Sequence, residues 1–527
     1  MTTPAISANS RVFIIQGGAS PEHTPVYYSC MKLTAVSQDF GEVEQVTAPN
    51  PYQAGAVILV GELRGDKGRV TASLQGRYAM DIVSTLLAYA KIGCPIDIQL
   101  HFGLCTDPSV FDKFDKAIIL EDAALTSYNT DELGALSGGD SAVINETTDI
   151  SAADIYEVVP VRVTPVAGTL TTSKVLDIRI CEGVACVGCG SGNTGCDFSI
   201  ASTAGSAIVD PPIAPVVIYN WGANSGGFWY SQDINIFSSG QDADSIDCVG
   251  DYVVAVSDEY VGLAYSPKTN ITPDSTPAWL GYTTGFGSGA PKWIDAFYNI
   301  AIIVGNNGYV YLLGSNPADG VTVLDAGVAA AGDDLYNVHM YDFSTAVAVG
   351  ENGCVIYMTD GKTWQVAATR PAGAGVTLNT VWVKSENEWW VGTSTGYIYY
   401  TLDQGVNWIP KTFYGSGTGT IRDIAFATKS IGYFTRTTNA PGGARLYRTY
   451  NGGKTWVLVP EKSGTLPSAF RYNHIGVCTL DPNFIVLAGV GDDDASGIIL
   501  GKPEGTGVPT PTDTGMPIGL LLALTRI

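Results

Sequence analysis

Positive charge is scarce in this chain. Lys and Arg total 28 against 51 Asp and Glu in 527 residues, a formal net charge of −23. A protein that grips nucleic-acid phosphates needs a basic face, so this balance argues against one. Charge of either sign is low too, 15% of residues where roughly 25% is usual. Long amphipathic helices, which draw on Lys, Glu and Leu, are therefore disfavoured. His23, His101, His339 and His474 are the only histidines, and they form neither a metal-ligand spacing nor a catalytic triad. No apolar run approaches the ~20 residues of a membrane helix; the longest is GLLLAL, near the C-terminus. The opening MTTPAISANSRVFII has no basic start and no sustained apolar core, so no signal peptide is expected. The expectation is a soluble chain with no membrane partner.

What is abundant points to strands. There are 62 glycines and 27 tyrosines, a mixture that suits short strands and tight turns. The length predicts two or three domains. In the first part, RVTASLQ (69–75) and IDIQLHF (96–102) alternate apolar and polar residues as half-buried strands do. Between them MDIVSTLLAYAKIG reads as a helix over 80–92, with Val83, Leu86, Leu87 and Ala90 on one face and Gly93 as its C-cap. Residues 1–165 are thus read as a β-sandwich or barrel with one covering helix. A Pro/Gly-containing connector, TPVAGTLTTS, supplies a linker at 166–174.

From 175 to 527 the texture becomes a repeat. AIIVGNNGYVYLL (301–313), AVAVGENGCVIYM (346–358) and WWVGTSTGYIYYT (389–401) each place an apolar strand, a Gly-centred turn and a return strand. Looser copies start at 253, 432 and 485. Several strands per ~40–50 residues mark β-propeller blades. The fold class is all-β, with seven blades expected and six as the alternative.

Three of the repeats carry a small turn after the return strand. TLDQGVNW supplies Thr401, Asp403, Gly405 and Trp408, and TYNGGKTW supplies Thr449, Asn451, Gly453 and Trp456. MTDGKTW, one residue shorter, supplies Asp360 and Trp364. The pattern resembles the Asp box, S/T-x-D-x-G-x-x-W, of sialidase-like (BNR) propellers, and VIYNWGANSGGFW (217–229) resembles an eroded copy. The Asp or Asn side chain accepts backbone amides, Gly allows positive φ, and Trp is buried between sheets. In that family the boxes lie on the blade rim, away from the central pocket, so they are structural turns.

No catalytic residue, cofactor or metal is assigned. The resemblance implies that a sialidase needs three clustered arginines, a tyrosine nucleophile with its glutamate, and an acidic proton donor. Eight arginines follow residue 165, without the first-blade arginine motif that precedes the boxes. The acidic GDDDASG (491–497) reads as a solvated turn, with a weak calcium site as the alternative. An enzyme is not expected. Cys181, Cys186, Cys189 and Cys196 crowd into sixteen residues. Two disulfides within that loop are expected, with a zinc site and an iron–sulfur site as open alternatives.

The N-terminal stretch resembles another family. ELRGDKGRVTASLQGRY, STLLAYAKIGCPIDIQLHFG and KAIILEDAALTSYNTDELGALSGGDSAVINET together resemble a tail tube (major tail) protein of a tailed bacteriophage. The resemblance implies a virion protein, assembled in the host cytoplasm, whose hexameric rings stack into a conduit. It also implies other tail proteins as partners and DNA passing through without specific binding. Residues 1–165 hold 10 Lys and Arg against 20 Asp and Glu, which suits a lumen that repels DNA. The segment 127–152 is expected to be an intersubunit arm, and the propeller an outward decoration able to touch host glycans. The alternative is a soluble binding or assembly-factor propeller resembling photosystem II assembly proteins. A glycan hydrolase is a third reading.

Overall fold

A computed structural model describes residues 229–459, apart from 239, 272–278, 414–415 and 438–444, together with the strands named below outside that range. Two compact units partition the chain: Met1–Pro160 belongs to one and Val161–Glu504 forms the other.

The first unit is an antiparallel barrel. Its strands are β1 (Ser10–Gln16), β2 (Val26–Gln38), β3 (Val43–Pro49), β4 (Val57–Arg64), β5 (Val70–Arg77), β6 (Ile96–Phe102), β7 (Lys116–Thr130), β8 (Asn145–Ala152) and β9 (Asp154–Val158). The sheet runs β6-β1-β2-β5-β8-β7-β9, and β6 also pairs with β7, so the ring of pairings closes. Bulges in β2 (Leu33/Ala35) and β7 (Leu125/Ser127) accompany the bends of these long strands. Alternation puts Val70, Ala72 and Leu74 of β5 inside with Ile98, Leu100, Ile118, Leu120 and Ile150. The hairpin β3–β4 forms a sheet of its own.

Two expectations need correction here. The ends of the 127–152 segment are barrel strands, with Thr148, Ile150 and Ala152 buried, because its apolar residues alternate inward at period two, and residues 131–144 lie outside the described residues. And the period-two strands expected to supply edges are paired on both sides within the chain: β5 with β2 and β8, β6 with β1 and β7. The helix expected over 80–92 lies outside the described residues.

The second unit is a closed propeller of seven four-stranded antiparallel sheets. The innermost strands, first to seventh blade, are Val175–Cys181, Ser245–Val249, Pro291–Phe297, Leu335–Met340, Leu378–Val383, Thr420–Phe426 and Phe470–Val477. Each packs on the next, and Val175–Cys181 packs on Phe470–Val477 to complete the ring. The six repeats visible in the sequence are blades two to seven. The first blade spans Val175 to Asp233. The seventh takes only three strands from the C-terminal side. Its outermost is β10 (Thr164–Pro165), which pairs with Gly497–Gly501. The polar connector before the repeat therefore begins with the strand that closes the ring.

Apolar alternation explains the packing between blades. Ile246, Ile294, Val338, Val381, Ile424 and Ile475 occupy matching places on the innermost strands, and all are buried. Valines and isoleucines crowd these short strands because β-branched side chains fit a pleated surface buried on both faces.

Candidate functional site

The Asp boxes sit between the third and fourth strands of their blades. Thr401 is fully buried, and its hydroxyl donates to Asp403 at 2.8 Å while accepting the Gly405 N–H at 3.0 Å. Asp403 in turn accepts the Asn407 backbone N–H at 2.8 Å and its side-chain amide at 2.7 Å. Those bonds, the backbone one foremost, lower the Asp403 pKa. The sixth blade repeats the pattern: Asn451 accepts the Thr455 N–H at 3.0 Å, and Thr449 accepts the Gly453 N–H at 2.8 Å. Glycine is obligatory at 453, where φ is +94° and a Cβ would stand 2.3 Å from the Trp390 ring. In the fourth blade Asp360 accepts the Thr363 and Lys362 N–H groups at 2.7 and 2.9 Å, which lower its pKa to about 2. Trp364 and Trp456 are buried, whereas Trp408 is half-buried with its indole N–H on the Thr369 carbonyl at 3.1 Å. The Thr, Asp and Asn side chains close turns within their own blades, while Trp408 reaches Thr369, after the last strand of the fourth blade, and Gly453 meets Trp390 of the fifth.

The cysteines are arranged otherwise than expected. Cys181 is bonded to Cys248, with Cα atoms 5.9 Å apart, in place of a partner within the 181–196 loop. The reason is topological: Cys181 ends the innermost strand of the first blade and Cys248 lies on that of the second, so the ring brings them together. Cys186, Cys189 and Cys196 lie outside the described residues, as does most of GDDDASG.

The densest chemistry lies in the channel. The innermost strand of each blade has one edge paired with its own second strand, and its other edge faces the axis without a strand beside it. Backbone N–H groups there need partners. They find them on side chains of the preceding blade. The Ile246 N–H donates to Asp177 at 3.1 Å, Ile294 to Ser245 at 3.3 Å, and Val381 to Asn337 at 3.1 Å. Ile424 donates to Thr380 at 3.2 Å and Ile475 to Asp423 at 3.0 Å. A second tier, two residues further along, joins Ala296 to Asp247 at 2.9 Å, Met340 to Asp295 at 2.7 Å and Val383 to His339 Nδ1 at 3.3 Å.

At the centre of these tiers is Arg179. It lies 3.4 Å from Asp177 and 3.6 Å from Asp295, donates to the Ile294 carbonyl at 3.4 Å, and its guanidinium is 5.1 Å from the Trp293 ring centre. Burial opposes its charge, yet Asp177, Asp247, Asp295 and Asp423 raise its pKa. Among the described residues, four carboxylates act on this one guanidinium and Lys268 acts on Asp247 as well, which leaves an excess of acid. Burial pushes Asp295 up to about 8 and Asp247 up to about 6, against the pull of Arg179. Asp423 stays low despite burial because His474 and the Ile475 N–H favour its anion. His474 Nδ1 is 3.4 Å from Asp423, and its ring lies 4.8 Å from that of Trp293. Burial and Arg179 lower the His339 pKa to about 3, which fits the neutral ring whose Nδ1 accepts the Val383 N–H.

From the sequence, His339 and His474 have no assigned role, and Arg179 is one of the eight arginines after residue 165. A signal existed: Asp247, Asp295 and His339 follow at 48 and 44 residues, in step with the repeat. No group of three or more His, Cys, Asp or Glu among the described residues has the arrangement of a metal site.

No protein-family model matches this chain, and no curated protein matches it. Solved structures do match it. YCF48 bound to D1 peptide aligns at 16% identity and a TM-score of 0.47, covering 66% of this chain and 97% of that one. YCF48 from Cyanidioschyzon merolae aligns at 13% identity and a TM-score of 0.47, covering 65% and 100%. A chain of the mitotic checkpoint complex aligns at 10% identity and a TM-score of 0.42, covering 65% and 91%. Likeness at this level gives no reason to assign any of their functions.

Proposed function

We propose that this chain is a binding propeller of the assembly-factor kind, a rigid scaffold that holds a protein partner and performs no hydrolysis. The observation that carries this reading is the use of the channel side chains. A general acid or base needs a side-chain oxygen or nitrogen that reaches the substrate. Here Asp177, Asp247, Asp295, Asp423 and His339 each accept a backbone N–H of the next blade. The groups a channel enzyme would deploy hold the ring together instead. The test is turnover by the full chain of sialosides and a panel of aryl glycosides. Background rates are expected, and activity that Asp423→Asn abolishes while the fold persists would contradict the reading.

A tail-tube role for residues 1–165, with stacked rings around passing DNA, is the second reading. The observation in its favour is the all-antiparallel barrel accompanied by a hairpin, Val43–Arg64, that forms a separate sheet. Negative-stain microscopy of the full chain decides it. Rings or tubes support the virion role, and single particles reject it.

A further inference from the structure

The propeller repeat supplies its own control for surface residues, and two aromatic side chains break the pattern. The turn between the first and second strands of the second blade is Gly250–Asp251, closed by the Val249–Tyr252 pair. Its counterpart in the third blade is Tyr298–Asn299, closed by Phe297–Ile300. Gly250 and Tyr298 both have φ +54°, a conformation natural to glycine and costly for a bulky residue. Tyr298 accepts that strain with 76% of its surface in solvent. Core packing does not explain it.

Phe343 breaks a second equivalence. The first-to-second-strand turns of blades four, five and six share one frame. Asp342 N–H donates to Thr345 O, Ser385 to Glu388 and Thr428 to Ile431, at 3.4, 3.4 and 3.1 Å. The residue after each donor is Phe343, Glu386 or Lys429. Two blades expose a charge there, and the fourth exposes a phenyl ring at 53%. The exceptions meet: Tyr298 and Phe343 stack with centroids 6.2 Å apart at 23°. Phe297 stands edge-on to both, at 4.8 and 4.9 Å.

Carboxylates flank this patch. Asp342, next to Phe343, is held by the Ser344 and Thr345 N–H groups at 2.8 and 2.7 Å. Asp251 follows Gly250, whose N–H donates to the Tyr298 carbonyl at 2.7 Å. Lys268 already acts on Asp251 and on Asp247, so Asp342 is the carboxylate assigned to an incoming cation. Aromatic faces beside carboxylates suit a guanidinium, which stacks flat and pairs with the acid. The molecule already uses this chemistry: Arg448 lies 5.2 Å from the Tyr433 ring and 4.3 Å from that of Tyr450.

We propose that Tyr298 and Phe343 form a docking patch for a protein segment presenting an arginine, with Asp342 meeting its charge. This rests on the binding-propeller reading and names where the partner engages. The test is fluorescence anisotropy of a labelled Gly-Arg-Gly-Arg peptide on the full chain, with Gly-Glu-Gly-Glu and maltohexaose as comparison probes. The arginine peptide is expected to bind, and both Tyr298→Gly and Phe343→Ala to weaken it at least ~10-fold. Tyr298→Phe is expected to retain binding, and Tyr298→Gly to raise Tm, because glycine removes the strain that tyrosine accepts. No binding by the arginine peptide, equal binding by both variants, or preferential binding of the acidic peptide or the oligosaccharide overturns the proposal. None of those results bears on the parent reading, which fails on substrate turnover.

Discussion

Asp295 and Met340 stand on the innermost strands of the third and fourth blades, and the Asp295 carboxylate accepts the Met340 backbone N–H at 2.7 Å. The same relation, side chain to next blade's amide, recurs with different residue types along the channel: Asn337 to Val381, Thr380 to Ile424, Asp423 to Ile475. Only the acceptor role is shared. That explains why acids, an amide, hydroxyls and a neutral imidazole serve interchangeably, and why no repeated residue type announces the ring.

The excess of buried acid gives stability a pH dependence with a definite sign. Asp295 has its pKa pushed up to about 8, far above the ~3.9 of an unfolded chain. The folded state therefore holds a proton that the unfolded state releases, and stability falls as pH rises from about 4 to about 8. Asp295→Asn keeps an acceptor for Met340 without the titration. It is expected to change Tm little at pH 5 and to raise it above wild type at pH 9. Thermal melts across that range check this, and equal slopes in the two proteins would count against it.

The Asp-box tryptophans are expected to differ in weight. Trp456 is buried against Trp390, Phe426 and Phe434, so Trp456→Ala is expected to cost about 3–5 kcal/mol. Trp408 is half-buried, and Trp408→Ala is expected to cost about 1–2 kcal/mol. Denaturant melts of the two variants give the comparison.

Within the turn, Thr401 bonds Asp403 and Gly405 from a fully buried position. Thr401→Val preserves shape and removes the hydroxyl, at an expected cost of about 1–3 kcal/mol. A stability change within error would mean the turn is held by other contacts.

The Cys181–Cys248 bond spans 67 residues and joins two blades. Non-reducing peptide mapping is expected to recover the two cysteines in one linked peptide. Cys248→Ser is expected to lower stability by about 2–4 kcal/mol.

The repeat was legible because the blade cores must alternate apolar residues and turn at glycine once per hairpin. Asp403 and Gly405 were legible because their bonds are local, whereas Trp408, bonded to Thr369, 39 positions away, was legible from its spacing alone. The channel was not, because each of its bonds joins residues some 44–69 positions apart and asks only for an acceptor. Cys181 misled for a related reason: its partner is near in the ring and distant in the chain, while three cysteines lie close by in sequence. The Tyr298–Phe343 patch emerges only after the register shows which turns are equivalent. In the N-terminal unit, alternation marked the strands correctly, but closure depends on the β6–β7 pairing, which no local pattern announces.

Amide hydrogen exchange along the innermost strands tests the central claim most directly. The account holds that the channel side chains are spent on neighbouring backbone amides. The Ala296, Met340, Val383 and Ile475 N–H groups, on edges without a paired strand, are then expected to exchange as slowly as amides within the sheets. Asp295→Ala is expected to speed Met340 by at least ~10-fold, as one hydrogen bond to a charged or partly charged acceptor implies, and to leave Ile475 unchanged. Fast exchange of these amides in the wild-type protein would contradict the account, because it would leave the channel carboxylates free for a ligand.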